Sequence, residues 1–293
     1  MSTLRELKGR IGSVASSEKI TGAMKMISSA KMHKAELALK RLVPFREMIC
    51  RIIGNLLSSD TEFHSPLMVS REVHRVSIVV LGSDDGLCGA YNMNIFKSLL
   101  QTINKCRAQY GPAAEVEIIP VGKKITKAVK KLEMPGVTCR MVDGVDSKTT
   151  GDGVRVFTDE LRSRFEQGDT DRVMLVYMHF RSVSRQELAS ETFMPVVSES
   201  FAEAGVKATN RPYIFEPSAE RIFTSVLPMF LMSMMQEVFT QNRASEQAAR
   251  VMAMQSANDN AKKLLDELQL EYNKLRQQGI TTELLDILGG QVR

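Results

Sequence analysis

The chain has 293 residues, 43% of them apolar and 25% charged, with a formal net charge of +5; that is enough apolar material for one large or two smaller domains. Its four cysteines, Cys50, Cys88, Cys106 and Cys139, form no CxxC pair and no cluster with His33, His64, His74 or His179, which argues against a zinc site or disulfide framework and for reduced thiols. No apolar run approaches the roughly 20 residues of a membrane-spanning helix, and the opening "MSTLRELKGR" is charged at once, without the apolar centre of a signal peptide.

Residues 1–57 hold 11 Lys and Arg against 4 Asp and Glu, so the basic surplus is concentrated here. Leu4, Leu7, Ile11 and Val14, then Ile20, Met24 and Ile27, recur at three- and four-residue spacing, which predicts a helix with an apolar stripe. Gly9, Gly12, Gly22 and Gly54 each weaken it by roughly 1 kcal/mol relative to Ala and leave room for a second backbone. Residues 58–73 read as a linker.

From His74 the pattern changes. "HRVSIVVLG", "EVEIIPVG", "GVTCRM", "DRVMLVYMHF" and "TFMPVV" are short runs rich in β-branched residues and bounded by Gly, Pro or charge, and they read as strands. Helical stretches near 91–109, 123–132 and 153–167 separate them, so residues 74–209 predict a Rossmann-like α/β domain with a largely parallel sheet. The last segment, 210–293, opens with Ser218 as a candidate N-cap, and Pro228 is expected to interrupt or kink its helix. From Met229 to Gln278 there are then 50 residues without Gly or Pro. As one helix this is roughly 75 Å long. Ala257, Ala261, Leu264, Leu268, Tyr272 and Leu275 set out a coiled-coil seam along it.

A helix of that length cannot bury its stripe alone, and the only comparable partner is 1–57. The expected fold is therefore a long antiparallel two-helix coiled coil made by the two ends of the chain, with the α/β domain inserted between them. The C-terminal helix is the longer, and its tip exposes Ile280, Leu284, Leu285, Ile287 and Leu288, which implies a covering partner.

Catalytic chemistry is hard to find. "GSDDGLCG", at 82–89, follows a strand and precedes a helix, but it is neither a GxGxxG fingerprint nor a P-loop. Asp84 and Asp85 would repel a phosphate there, so a structural turn is expected, with Asn92 or Asn94 capping the next helix. Cys88 has no adjacent base, and neither GxSxG nor HExxH occurs.

Three stretches, "KITGAMKMISSAKM" (19–32), "SDDGLCGAYNMNIFK" (83–97) and the whole of 244–290, resemble the gamma subunit of the F-type ATP synthase, in the same order and over nearly the full chain. The resemblance implies a central rotor shaft that turns inside the hexameric ring of alpha and beta subunits, beside the epsilon subunit and above the membrane c-ring. It couples ion-driven rotation to the nucleotide states of the beta subunits, and it carries no catalytic residue, cofactor, metal or small-molecule substrate of its own. It implies contact with alpha and beta through Met24, Lys25, Arg250, Arg276, Gln277, Thr281 and Glu283, and with the c-ring through Tyr213, Glu216, Lys31 and Lys34. It also implies a peripheral position on the cytoplasmic face of a bacterial inner membrane. Gly22 departs from the family, which more often has a helix former there. The competing readings are a nucleotide-binding α/β protein with coiled-coil arms, and a basic coiled coil for nucleic acid; the latter lacks an aromatic-interleaved basic patch.

Overall fold

A computed structural model describes residues 3–57, 63, 65–197, 201 and 215–290. The described elements are α1 (Leu4–Leu57), a 3-10 turn at Pro66–Met68, β1 (Arg75–Leu81), α2 (Tyr91–Tyr110), β2 (Glu115–Val121), α3 (Lys123–Val129), β3 (Val137–Cys139), α4 (Asp152–Glu166), β4 (Arg172–Phe180), β5 (Gln186–Met194) and α5 (Ala219–Gly290). They fall into two compact units, Met1–Ser29 with Arg250–Arg293, and Ala30–Ala249. The fold is thus a pair of terminal helices with an α/β domain inserted between them.

In the first unit the start of α1 packs against the end of α5. Leu7, Ile11, Val14, Glu18, Thr21, Lys25 and Ser28 are among its buried or half-buried positions; Val251, Met254, Asn258, Ala261, Leu265, Leu268, Tyr272 and Leu275 are among those of α5. Both rows alternate steps of four and three, the 3.5-residue repeat of a coiled coil. The strands run antiparallel: Asn258 Nδ2 donates to the Glu18 carbonyl at 2.6 Å, while the buried Leu7 precedes Glu18 and the buried Leu268 follows Asn258 by a similar number of residues. Asn258 also reaches Thr21 Oγ1 at 3.3 Å.

Most of the expected seam is buried or half-buried: Leu7, Ile11, Val14 and Met24 on α1, and Ala257, Ala261, Leu268, Tyr272 and Leu275 on α5. Ile20 and Ile27 are 60% and 56% exposed, and Leu4 and Leu264 are also exposed. Ile20 and Ile27 fall off the contact row because it passes through Glu18, Thr21, Lys25 and Ser28 instead. Gly9 and Gly12 face open space, and only Gly22 faces the partner helix, where a Cβ would stand 3.4 Å from Asn258 Nδ2.

The second unit is built on a five-stranded sheet of order β3-β2-β1-β4-β5. β1 pairs parallel with β2 and β4, β2 with β3, and β5 runs antiparallel to β4. Strand side chains alternate between two cores. Val76, Ile78 and Val80 join Ile95, Leu99 and Ile103 of α2 on one face. Val79 and Leu81 join Phe157, Leu161 and Phe165 of α4 on the other, together with Ile49, Cys50, Ile53 and Leu56 of α1 and Phe223, Leu227, Phe230 and Leu231 of α5.

One local outcome differs from the sequence reading, and another chooses between its alternatives. Pro228 lies inside a continuous α5, so the helix is not interrupted there. It removes one backbone donor, costing about 3 kcal/mol, but each of the neighbouring buried side chains returns about 1.5–3 kcal/mol, and the freed carbonyl belongs to the exposed Thr224. β5 begins at Gln186, well before the "TFMPVV" run, because its first half is a polar edge without an apolar signal. The N-terminus of α5 is as expected, with the Arg221 N–H donating to Ser218 Oγ at 3.3 Å. By length and composition alone α5 holds a stretch able to cross a membrane, and half of that stretch is buried within the chain.

The close fit at Gly22 leaves just enough space for a methyl group. Gly22→Ala should raise the stability of the helical pair by about 0.5–1 kcal/mol, whereas Asn258→Ala should lower it by about 1 kcal/mol; denaturant titration of the full chain followed by far-ultraviolet circular dichroism reads both.

Candidate functional site

Open parallel sheets take ligands in the crevice beyond the carboxyl ends of their strands, where the winding direction changes. Here that place lies beyond β1 and β4, and residues 236–249 of α5 fill it. Asn242 Nδ2 donates to the Gly82 carbonyl at 3.1 Å, just past β1. The Tyr91 hydroxyl, at the start of α2, lies 2.7 Å from Asn242 Oδ1 and 2.9 Å from its backbone carbonyl. Ser245 Oγ donates to the Met178 carbonyl of β4 at 3.0 Å, and the Phe180 N–H donates to Gln241 Oε1 at 3.2 Å.

These side chains are buried. Thr240, Gln241, Asn242, Ser245, Glu246 and Gln247 are all at most 8% exposed. A buried polar group without a partner costs about 1–3 kcal/mol, so such a stretch is stable only where its partners are placed beforehand. The sheet places them by offering backbone groups at its ends. One turn earlier, the buried Glu237 accepts from Gln241 Nε2 at 2.9 Å and forms an ion pair at 3.0 Å with Arg46 of α1. Arg243 Nη2 donates to the Thr149 carbonyl at 2.9 Å, and burial lowers the pKa of its guanidinium below the ordinary value.

The glycine-rich loop after β1 satisfies itself. Ser83 N–H donates to Asn92 Oδ1 at 3.0 Å, and Asn92 Nδ2 returns a bond to Ser83 Oγ at 2.8 Å. Asn92 therefore ties down the loop instead of capping α2, which has no side-chain cap. Asp84 accepts from the Lys123 N–H at 3.0 Å and from Ser147 Oγ at 2.7 Å. A Cβ on Gly82 would lie 2.6 Å from Ile125, and Gly122, at φ +109°, sits against the Gly82 backbone. The loop is a packed turn: the Gly82 and Ser83 amides and the carboxylates of Asp84 and Asp85 are engaged with the protein. Among the described residues no group of three His, Cys, Asp or Glu is arranged to hold a metal ion.

The contact residues expected from the sequence do not converge on one pocket. Met24 and Lys25 are half-buried along the helical pair, and Arg250 is buried there at 6% exposure. Arg276, Gln277, Thr281 and Glu283 are exposed, with Thr281 Oγ1 donating to the Gln277 carbonyl at 2.9 Å. Ile280, Leu284, Leu285 and Ile287 are exposed beside them, while the side chain of Leu288 lies outside the described residues. Glu216, Lys31 and Lys34 are exposed, and Tyr213 lies outside the described residues. Sequence reasoning did not single out Asn242, Tyr91, Ser245 or the Arg46–Glu237 pair. The available signal was the polar run "TQNRASEQ" inside a helix otherwise rich in Met, Phe and Leu.

Residues 3–292 match a family model described as ATP synthase. The chain is 42% identical to the ATP synthase gamma chain of Phocaeicola vulgatus, with 100% of both covered. It is also 34% identical to the gamma chain of Stenotrophomonas maltophilia, with 99% of both covered. The chain belongs to the ATP synthase gamma chain family. Solved structures share its fold: a chain of the Euglena gracilis mitochondrial ATP synthase aligns with a TM-score of 0.64 at 20% identity, over 98% of this chain and 93% of that one. A central-stalk chain of the Tetrahymena thermophila enzyme aligns at 0.55 and 19% identity, over 81% of this chain and 99% of that one.

Asn242→Ala removes its own donor to Gly82 and one acceptor of Tyr91, and it should destabilise the domain by about 3 kcal/mol, while Tyr91→Phe should cost about half as much; chemical denaturation checks both. Burial, then the neighbouring Arg181, hold His179 below its ordinary pKa of 6.5. The unfolded chain therefore binds a proton more readily, and stability should fall as pH drops through 6.5 toward the lower folded value. His179→Gln should flatten that part of the pH–stability profile.

Proposed function

We propose that this chain works as the central rotor shaft of an F-type ATP synthase, turned by the c-ring and in turn driving the catalytic beta subunits through their nucleotide states. The observation that carries the reading is the grip of the α/β domain on α5. A shaft must not spin within its own mounting. Apolar packing alone resists separation but is non-directional, whereas the bonds that Asn242 and Ser245 donate and Gln241 accepts at the ends of β1 and β4 fix the rotation of the helix about its axis. The chain itself is a non-catalytic subunit.

The contact surfaces follow the same logic. Arg276, Gln277, Thr281 and Glu283, with Met24 and Lys25, face the alpha and beta ring; Arg250 acts from within the helical pair. The exposed apolar Ile280, Leu284, Leu285 and Ile287 suit a sleeve that must slide, since non-directional contacts have no preferred angle. Tyr213, Glu216, Lys31 and Lys34 meet the c-ring, and the epsilon subunit binds the domain. The enzyme lies peripherally on the cytoplasmic face of a bacterial membrane. The nucleotide-binding alternative loses its crevice to α5, and no observation favours nucleic acid.

Cys139 is exposed while Cys50, Cys88 and Cys106 are buried, so one thiol can be labelled selectively. With the label on this chain, assembled with alpha and beta subunits, ATP should drive stepwise, one-way rotation. Steady ATP hydrolysis with a stationary label would rule the rotor reading out.

A further inference from the structure

Within the domain unit a cleft of about 550 Å³ opens between α1, the start of α4 and α5. Its lining includes Lys34 and Arg41 of α1 and Arg243 of α5, and no carboxylate among the described residues. Lys34 and Arg41 are seven residues apart, two turns of helix, and so share a face. Neither makes an ion pair among the described residues, since Glu36 is taken by Lys40 at 3.0 Å. Arg243 is fixed from behind by the Ser147 and Thr149 carbonyls, at 3.4 and 2.9 Å, which leaves part of its fork facing the cleft. Gly151 and Thr150 add the start of α4, which has no side-chain cap. Its first amides carry partial positive charge, and the one acid of that turn, Asp152, is engaged with Arg155 at 3.3 Å. Between and beside the cations the lining is partly apolar, with Leu37 and Leu42 of α1 and Phe239 of α5.

Three cations line the cleft and no carboxylate does; the acids that act on Arg243, Glu246 and Asp146, are not part of the lining. If the only purpose were solubility, the cations would spread over the surface instead of converging on a partly apolar recess. Guanidinium groups pair with phosphate oxygens through two parallel bonds, and a helix start favours the same anion. The volume exceeds what a bare oxyanion fills, and the apolar part of the lining gives the remainder a surface to lie on. We infer that this cleft binds a phosphate-bearing amphiphile, its phosphate held by Lys34, Arg41 and Arg243 and its apolar part lying on Leu37, Leu42 and Phe239. The ligand is an effector or anchor and undergoes no reaction there. The inference does not depend on the rotor reading, and the crevice beyond β1 and β4 has no part in it.

The test is calorimetric titration of the full chain with three probes: inorganic phosphate, monomeric dihexanoyl phosphatidic acid, and the matching dihexanoyl glycerol without phosphate. Phosphatidic acid should saturate and bind at least about tenfold more tightly than inorganic phosphate, a difference of about 1.4 kcal/mol, and the glycerol should not saturate. Lys34→Gln with Arg41→Gln should weaken phosphatidic acid about 10- to 100-fold; both positions are exposed on α1, so the fold should survive, as circular dichroism will verify. Arg243→Gln should weaken it further, with the double variant deciding the matter if that third change unfolds the domain. Inorganic phosphate binding as tightly as phosphatidic acid overturns the amphiphile assignment. Failure of phosphatidic acid to saturate, undiminished affinity in the double variant, or equal binding of the phosphate-free glycerol overturns the site itself.

Discussion

Polar groups taken out of water must find partners, and in this molecule that requirement fixes where the long C-terminal helix can sit. Residues 236–249 of α5 carry Thr240, Gln241, Asn242, Ser245, Glu246 and Gln247 on nearly every side, all buried. Val238, Phe239, Ala244 and Ala248 of the same stretch are buried too, but so many polar side chains could not enter a core by the hydrophobic effect alone. The helix enters because the sheet ends in backbone groups, at Gly82, Met178 and Phe180, spaced to meet its side chains. The preceding stretch, with Phe223, Leu227, Phe230 and Leu231, supplies the burial energy, and the polar stretch supplies the orientation.

The same division of labour recurs in the helical pair. Leu7 and Leu268 supply buried apolar surface, while Asn258 supplies a directional bond to the Glu18 carbonyl. A polar residue in a coiled-coil seam lowers stability relative to an aliphatic one but disfavours alternative registers. Thr21 as a second acceptor and Gly22 opposite the amide show how closely the local surface is fitted to it. For a rod that carries load, a defined register matters more than maximal stability.

Much of the architecture was legible in the residues. The strands of the parallel sheet, the helices between them, the Ser218 cap and the pairing of the chain's two ends all follow from periodicity and turn chemistry. What misled was the assumption that apolar residues mark the seam. Ile20, Ile27 and Leu264 lie on outer faces because the contact row keeps its 3.5-residue beat through polar positions. Pro228 left two outcomes open, and the helix runs on through it because the packing around it outweighs its local cost. The first half of β5 was silent because an edge strand buries little and so needs no apolar alternation. Asn242 and Tyr91 were missed for a deeper reason: their significance lies in a hydrogen bond across 151 residues of sequence, which no local pattern encodes.

The lock at Asn258 has an evolutionary corollary. Its shorter bond is to a main-chain oxygen, so what it reads is the path of the opposing helix and not the identity of any side chain there. Position 18 can change among helix-compatible residues without erasing the signal. Neutral drift on the opposing strand is therefore decoupled from alignment of the pair, and a single amide can preserve that alignment across divergent descendants.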